Sequence, residues 1–193
     1  GTEVVLEGRT YRLDCPQAQS GMVCLQILNT KNLTLRGVPG QTKILITQPR
    51  TAFLEIWQSD SIMVQDLTID YEIPPFTQGK ILSVGDQTLV FRPDPGYPLP
   101  NSTFLTSDIF TSPGAHGGGF LFDANQPIIK RTSGDYLPIT EPAIDRGDGT
   151  WTIKTPFSNL AAAGDRLAYG SRTHFGIRIA FSSDVSFIFF ILF

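Results

Sequence analysis

Cysteine, histidine, methionine and tryptophan occur only twice each among the 193 residues, and lysine five times. Neither histidine has a cysteine or second histidine at ligand spacing, so the pattern indicates no zinc site and no other metal or cofactor. A basic surplus is missing too, with 15 basic against 18 acidic residues and a net charge of -3. A nucleic-acid binder usually carries a basic patch, so that class is disfavoured. No apolar run approaches the roughly 20 residues needed for a helix to cross a bilayer. Alanine is scarce: Ile, Val and Thr total 45 against 10 Ala, while Gly and Pro add 32. β-Branched residues suit pleated strands, and Gly and Pro suit turns, so the composition predicts an all-β protein of many short strands. At 41% apolar and 17% charged, the chain is too hydrophobic for disorder.

Two short motifs lack what they need to act. His116-Gly117-Gly118-Gly119 imitates the oxyanion loop of lipases, yet no serine sits in a Gly-x-Ser-x-Gly elbow. It also lacks the Lys-Ser/Thr ending of a phosphate loop, which leaves a flexible glycine loop. Arg146-Gly147-Asp148 spells an adhesion tripeptide inside an Asp/Gly-rich hairpin signal, and reads as a structural turn.

The compartment signals lean extracellular. Cys15 and Cys24 could close a small disulfide loop or be two buried thiols. Asn32-Leu33-Thr34 and Asn101-Ser102-Thr103 fit the N-glycosylation pattern, making Asn32 and Asn101 candidates in a secreted eukaryotic protein. The first residue is Gly1, which suggests a processed start or a fragment. Phe187 to Phe193 is an unbroken apolar heptad. It reads as a truncated or mis-spliced end, with a buried final strand as the alternative.

Three stretches resemble one another: Leu25–Gly37, Leu54–Asp66 and Ile177–Phe189. Each is a short alternating strand, a polar turn and a second alternating strand. Alignment puts Asn32, Ser61 and Asp184 at one position, each before an apolar residue (Leu33, Ile62, Val185). The first interval is 29 residues, in the range of solenoid repeats, and predicts stacked parallel strands. The second interval is 123 residues, so something is inserted. Hairpin signals at Val84–Leu89, Asp94–Pro98 and Asp145–Trp151 mark that insert as antiparallel. The expected organisation is therefore residues 1–79 as N-terminal turns, 80–169 as an inserted β subdomain, and 170–193 as the return. Leu33, Leu35, Ile62, Val64 and Val185 are expected to line one core.

The run Val64–Gly79, with Ile69-Asp70-Tyr71 and Pro75-Phe76-Thr77-Gln78-Gly79, resembles a segment of the secreted pectin-lyase-like right-handed parallel β-helix superfamily. Within it the run is most similar to α-1,3-galactosidases acting on blood-group-B-type glycans, where such a strand and turn precede an inserted barrel-like subdomain. Gly8–Leu13 looks like the opening strand of that superfamily, and Gly164–Leu167 with Arg172 like the return from the insert. The resemblance implies a right-handed parallel β-helix, a glycan partner, and hydrolysis by two carboxylic side chains. It also implies that the catalytic carboxylates lie on later turns, beyond residue 193. Polysaccharide lyase and a non-catalytic binding or adhesion solenoid are the rival readings.

Carboxylate spacing constrains what this stretch can do. An inverting glycosidase separates its carboxyls by roughly 6.5–9.5 Å, and a retaining one by about 5 Å. Asp66 and Asp70 would be roughly 13 Å apart in an unbroken strand and cannot pair. Asp70 and Glu72, at roughly 6.7 Å on one face, pass the inverting window. Just before Pro74-Pro75, they read first as a solvated strand edge and next as substrate contacts. His174 and Arg178, at the start of the third repeat, are the remaining candidates to touch a sugar.

Overall fold

A computed structural model describes residues 1–15, 23–49, 51–101, 117–126, 128–130, 137–170 and 177–191. Every regular element in them is a strand apart from one short 3-10 turn at Ser158–Leu160. The chain divides into two compact units, Gly1–Ile73 with His174–Phe193, and Pro74–Thr173.

The first unit is built of parallel ladders. In one, β3 (Val23–Leu28), β6 (Ala52–Trp57) and β15 (Ile177–Ala180) lie side by side, with Leu25, Leu54 and Ile177 in line. In the next, β1 (Thr2–Val5), β4 (Lys31–Arg36), the first half of β7 (Asp60–Tyr71) and β16 (Ser183–Ile191) align Leu33, Ile62 and Val185. Further along, β2 (Thr10–Leu13) and β5 (Lys43–Ile46) pair with the second half of β7, placing Ile44 against Ile69. β7 changes partner where Asp66 adopts a φ of 59°, so it is not the unbroken strand assumed from its sequence.

The corners repeat as regularly as the strands. Asn29, Gln58 and Phe181 follow the first ladder, while Asn32, Ser61 and Asp184 sit inside the second, and all six have φ between 46° and 55°. Asn and Asp tolerate this left-handed region better than most residues. Between them runs a hydroxyl ladder. The Thr30 N–H donates to Ser59 Oγ and the Ser59 N–H to Ser182 Oγ, both at 3.1 Å. Each hydroxyl donates in turn to the carbonyl two residues earlier, at Leu28, Trp57 and Ala180. Ser59 is buried, and this pairing satisfies backbone donors that water does not reach.

One core fills the unit. Ile27, Leu35, Ile44, Phe53, Leu54, Ile62, Val64 and Ile69 are buried in it, with Leu33, Val185 and Phe187 packed against it. The five residues expected to share a core therefore do so. Through Ile191 the Phe-rich tail pairs in parallel with β7, and Phe187 lies opposite Val64.

The second unit is an antiparallel sheet in the order β11 (Leu137–Ile139), β10 (Gly117–Phe122), β14 (Arg166–Gly170), β8 (Thr77–Gly85), β9 (Thr88–Pro93), β13 (Trp151–Lys154), β12 (Ile144–Asp145). It runs over Pro74–Thr173 rather than 80–169, and β8 already joins the antiparallel sheet at Thr77. Pro74-Pro75 accounts for the earlier switch, because prolines cannot donate to a ladder. Hairpins close between Gly85 and Thr88 and between Asp145 and Trp151. Ile81, Leu89, Phe91, Leu121, Leu137, Ile139, Trp151, Ile153, Leu167 and Tyr169 form its separate core. Asp165, nearly fully buried, is held by Lys130 at 2.6 Å and by the Ala162 N–H at 2.8 Å. Burying a carboxylate is costly unless it is paired and hydrogen-bonded in this way.

Candidate functional site

Side chains alternate across a strand, so the inward Ile27 and Ile56 leave Gln26, Glu55 and Arg178 on the outer face of the first ladder. These three form one column. Gln26 Nε2 donates to Glu55 Oε2 at 2.9 Å, and Arg178 Nη1 lies 3.4 Å from Glu55 Oε1. The Glu55 side chain keeps only 14% exposure, while Arg178 keeps 52%. Beside this column runs a second, in which Leu28, Trp57 and Ala180 are in register. The Trp57 ring carries the Arg178 guanidinium 5.2 Å from its centroid. It also meets the Phe181 ring edge-on, with centroids 4.7 Å apart. Phe181 is 78% exposed, in the left-handed corner conformation described above. A large aromatic side chain is costly to leave in water, so this pair marks a surface worth explaining.

Chemically, the face offers flat apolar area next to fixed donors and acceptors. The Glu55 carboxylate accepts, the Gln26 amide does both, and the Arg178 guanidinium donates. A hydrogen bond from Gln26 and an ion pair with Arg178 hold Glu55 between them, which limits the entropy lost on binding a ligand.

Asp70 and Glu72 are placed differently. Lys43 Nζ reaches Asp70 Oδ2 at 2.8 Å, and the Tyr71 N–H donates to Asp70 Oδ1 at 2.9 Å. Arg12 grips Glu72 through one nitrogen, at 2.8 and 2.6 Å from its two oxygens. That hydrogen bond from Arg12 to Glu72 raises the guanidinium further above its ordinary range. Both carboxylates thus sit against a cation on the same parallel ladder, solvated but neutralised. Arg178 belongs to the Glu55 column, and His174 lies outside the described residues.

Other sequence candidates resolve locally. Cys15 and Cys24 form a disulfide with Cα atoms 5.3 Å apart. Asn32 is exposed at its corner, and Asn101 is exposed, although Ser102 and Thr103 lie outside the described residues, as do His116 and Arg172. Asp148 builds its turn: Oδ1 accepts from the Thr150 N–H at 3.0 Å and from the Thr150 hydroxyl. Those bonds hold its carboxyl below the usual carboxylate range. Among the described residues no group of three or more His, Cys, Asp or Glu could hold a metal. No described helix is long and apolar enough to cross a membrane.

Glu55 and Trp57 escaped sequence reasoning, although the signal was present. In the three aligned repeats Gln26, Glu55 and Arg178 occupy one column, as amide, acid and base. No protein-family model matches the chain, and a search of curated proteins found no match.

Proposed function

We propose that this chain is part of a secreted carbohydrate-active protein, and that its own contribution is recognition of a glycan by the Glu55–Trp57 face. The observation that carries the reading is the Gln26–Glu55–Arg178 column beside the Trp57–Phe181 pair. Sugars present an apolar C–H face and a rim of hydroxyls; aromatic rings meet the first, and fixed amide, carboxylate and guanidinium groups meet the second. The parallel ladders with recurring left-handed corners support winding of the first unit as a right-handed β-helix of the pectin-lyase-like kind. On that reading the intact protein is a glycoside hydrolase related to α-1,3-galactosidases, using two carboxylates that lie outside this stretch. Neutralisation of Asp70 by Lys43 and of Glu72 by Arg12 favours a binding role for this stretch over catalysis or lyase chemistry.

Titration calorimetry with α-galactoside-capped oligosaccharides tests it. Binding is expected to weaken about tenfold or more in Trp57→Ala and in Glu55→Gln, the scale of losing one stacking or charged hydrogen-bond contact. The chain alone is expected to hydrolyse none of these glycosides. Unchanged affinity in both variants, or steady turnover by the purified chain, would overturn the assignment.

A further inference from the structure

A second surface, wholly within the antiparallel unit, carries the features of a ligand site. Leu121 and Leu167 point into the core, so their neighbours Phe122, Arg166, Ala168 and Gln78 face outward. Phe122 lies opposite Arg166, and Ala168 opposite Gln78. With the following loop, Asp123–Gln126, these residues line an open concavity of about 390 Å³. That volume falls in the lower part of the range for small-molecule sites, ~300–1,000 Å³. The loop is tied back on itself. The Asp123 N–H donates to the Ile128 carbonyl at 3.2 Å, and Asp123 Oδ1 accepts from the Asn125 N–H at 2.8 Å. The amides of Asn125 and Gln126 stand exposed at the rim.

Charge decides the class of ligand. Asp94 accepts from Gln78 Nε2 at 3.1 Å and pairs with Arg166 through the same carboxylate oxygen. Within the lining, Arg166 is paired with Asp94 and Asp123 adds a carboxylate, while the exposed Lys80 and Arg92 lie on the neighbouring strands outside it. A uronate, sulfate or phosphate would therefore find no unpaired cation among the lining residues. What remains is a floor of Ala168, an apolar wall of Phe122, and a set of amide and carboxylate groups. This arrangement suits an uncharged molecule with many hydroxyls.

We propose that the concavity is a second sugar site, which takes a neutral hexose unit and acts independently of the Glu55–Trp57 face. It extends the glycan reading above but stands on different residues.

The test is a ¹H–¹⁵N titration of the full chain with galactose, glucose and mannose, with galacturonate and inorganic phosphate as charged controls. At least one neutral hexose is expected to shift the Asn125, Gln126 and Arg166 signals, and the charged controls none. Asn125→Ala with Gln126→Ala touches only exposed rim amides, and should weaken that binding about tenfold while leaving the spectrum folded. Trp57→Ala should leave it unchanged. The proposal is overturned if no neutral hexose moves these signals, if galacturonate or phosphate binds more tightly, if the double variant binds as well as the parent, or if Trp57→Ala abolishes the shifts. Shifts at residues 123–126 with a silent Trp57 face would remove the first reading and sustain this one.

Discussion

Tyr169 is the least comfortable residue in the antiparallel core. Its ring packs edge-on against Phe91, with centroids 6.0 Å apart, yet among the described residues neither its hydroxyl nor that of Thr77, opposite it on β8, has a hydrogen-bond partner. Burial alone pushes the phenol well above its ordinary pKa. The sign follows: the unfolded chain loses this proton near pH 10 and the folded chain only later. Stability is therefore fully present below about pH 10 and falls above it, by up to ~1.4 kcal/mol per pH unit from this one group. Tyr169→Phe deletes an unpartnered hydroxyl without opening a large cavity, so it should stabilise by about 1 kcal/mol at neutral pH. It should also blunt the alkaline loss. Thermal melts of both proteins at pH 7 and pH 11 decide the matter; a variant less stable at pH 7 means the hydroxyl is partnered after all.

At the scale of elements, the corners determine whether the ladders form. Gly37 sits where the chain leaves β4, and its N–H donates to the Gln65 carbonyl at 3.0 Å. A Cβ there would meet Asp66 O at 2.4 Å, Leu67 Cδ2 at 2.7 Å and Thr42 Cβ at 2.7 Å. Backbone cannot yield as a flexible side chain does, so Gly37→Ala should cost about 2–3 kcal/mol, the upper range for overpacking. Gly40→Ala, where no atom lies within 4 Å but φ is +69°, should cost only about 1 kcal/mol, from backbone strain. Urea unfolding of the two variants separates crowding from strain. Equal losses would show that the Gly37 approach is looser than drawn.

Corners were also the most legible part of the sequence. Aligning the polar turns placed Asn32, Ser61 and Asp184 together, and the structure gives all three left-handed backbone and parallel neighbours in register. Strand partners at a spacing of 29 could be read because each turn interrupts the same apolar alternation. The ion pairs could not. Lys43 meets Asp70 across 27 residues and Arg12 meets Glu72 across 60, spacings that follow from loop lengths rather than from the repeat. Loop lengths carry no periodic signal. The concavity beside Arg166 was hidden for the same reason, since its walls come from three strands and a loop far apart in the chain.

At the scale of the molecule, the described residues form two cores that share no residue, one under parallel ladders and one under an antiparallel sheet. The first is bounded on one side by β16, the strand that carries most of the Phe-rich tail. In the sequence that tail reads as a truncated or mis-spliced end, with a buried final strand as the alternative; in the structure it pairs in parallel with β7 through Ile191. Phe187 packs on the core opposite Val64, while Ile188 points outward and keeps 58% exposure. Among the described residues β16 pairs with β7, and its outward side presents the exposed apolar Ile188. Apolar side chains exposed on a strand favour association with another chain. Two substitutions should therefore behave oppositely. Ile188→Lys adds a charge to the solvent side of the strand and should suppress concentration-dependent light scattering, with a change in stability within about 0.5 kcal/mol. Phe187→Ala removes a ring from the core and should destabilise the first unit by about 2–3 kcal/mol, less than a fully buried ring because Phe187 is only half-buried. If Phe187→Ala melts like the parent, the tail is not part of the core; if Ile188→Lys scatters like the parent, association proceeds through some other surface.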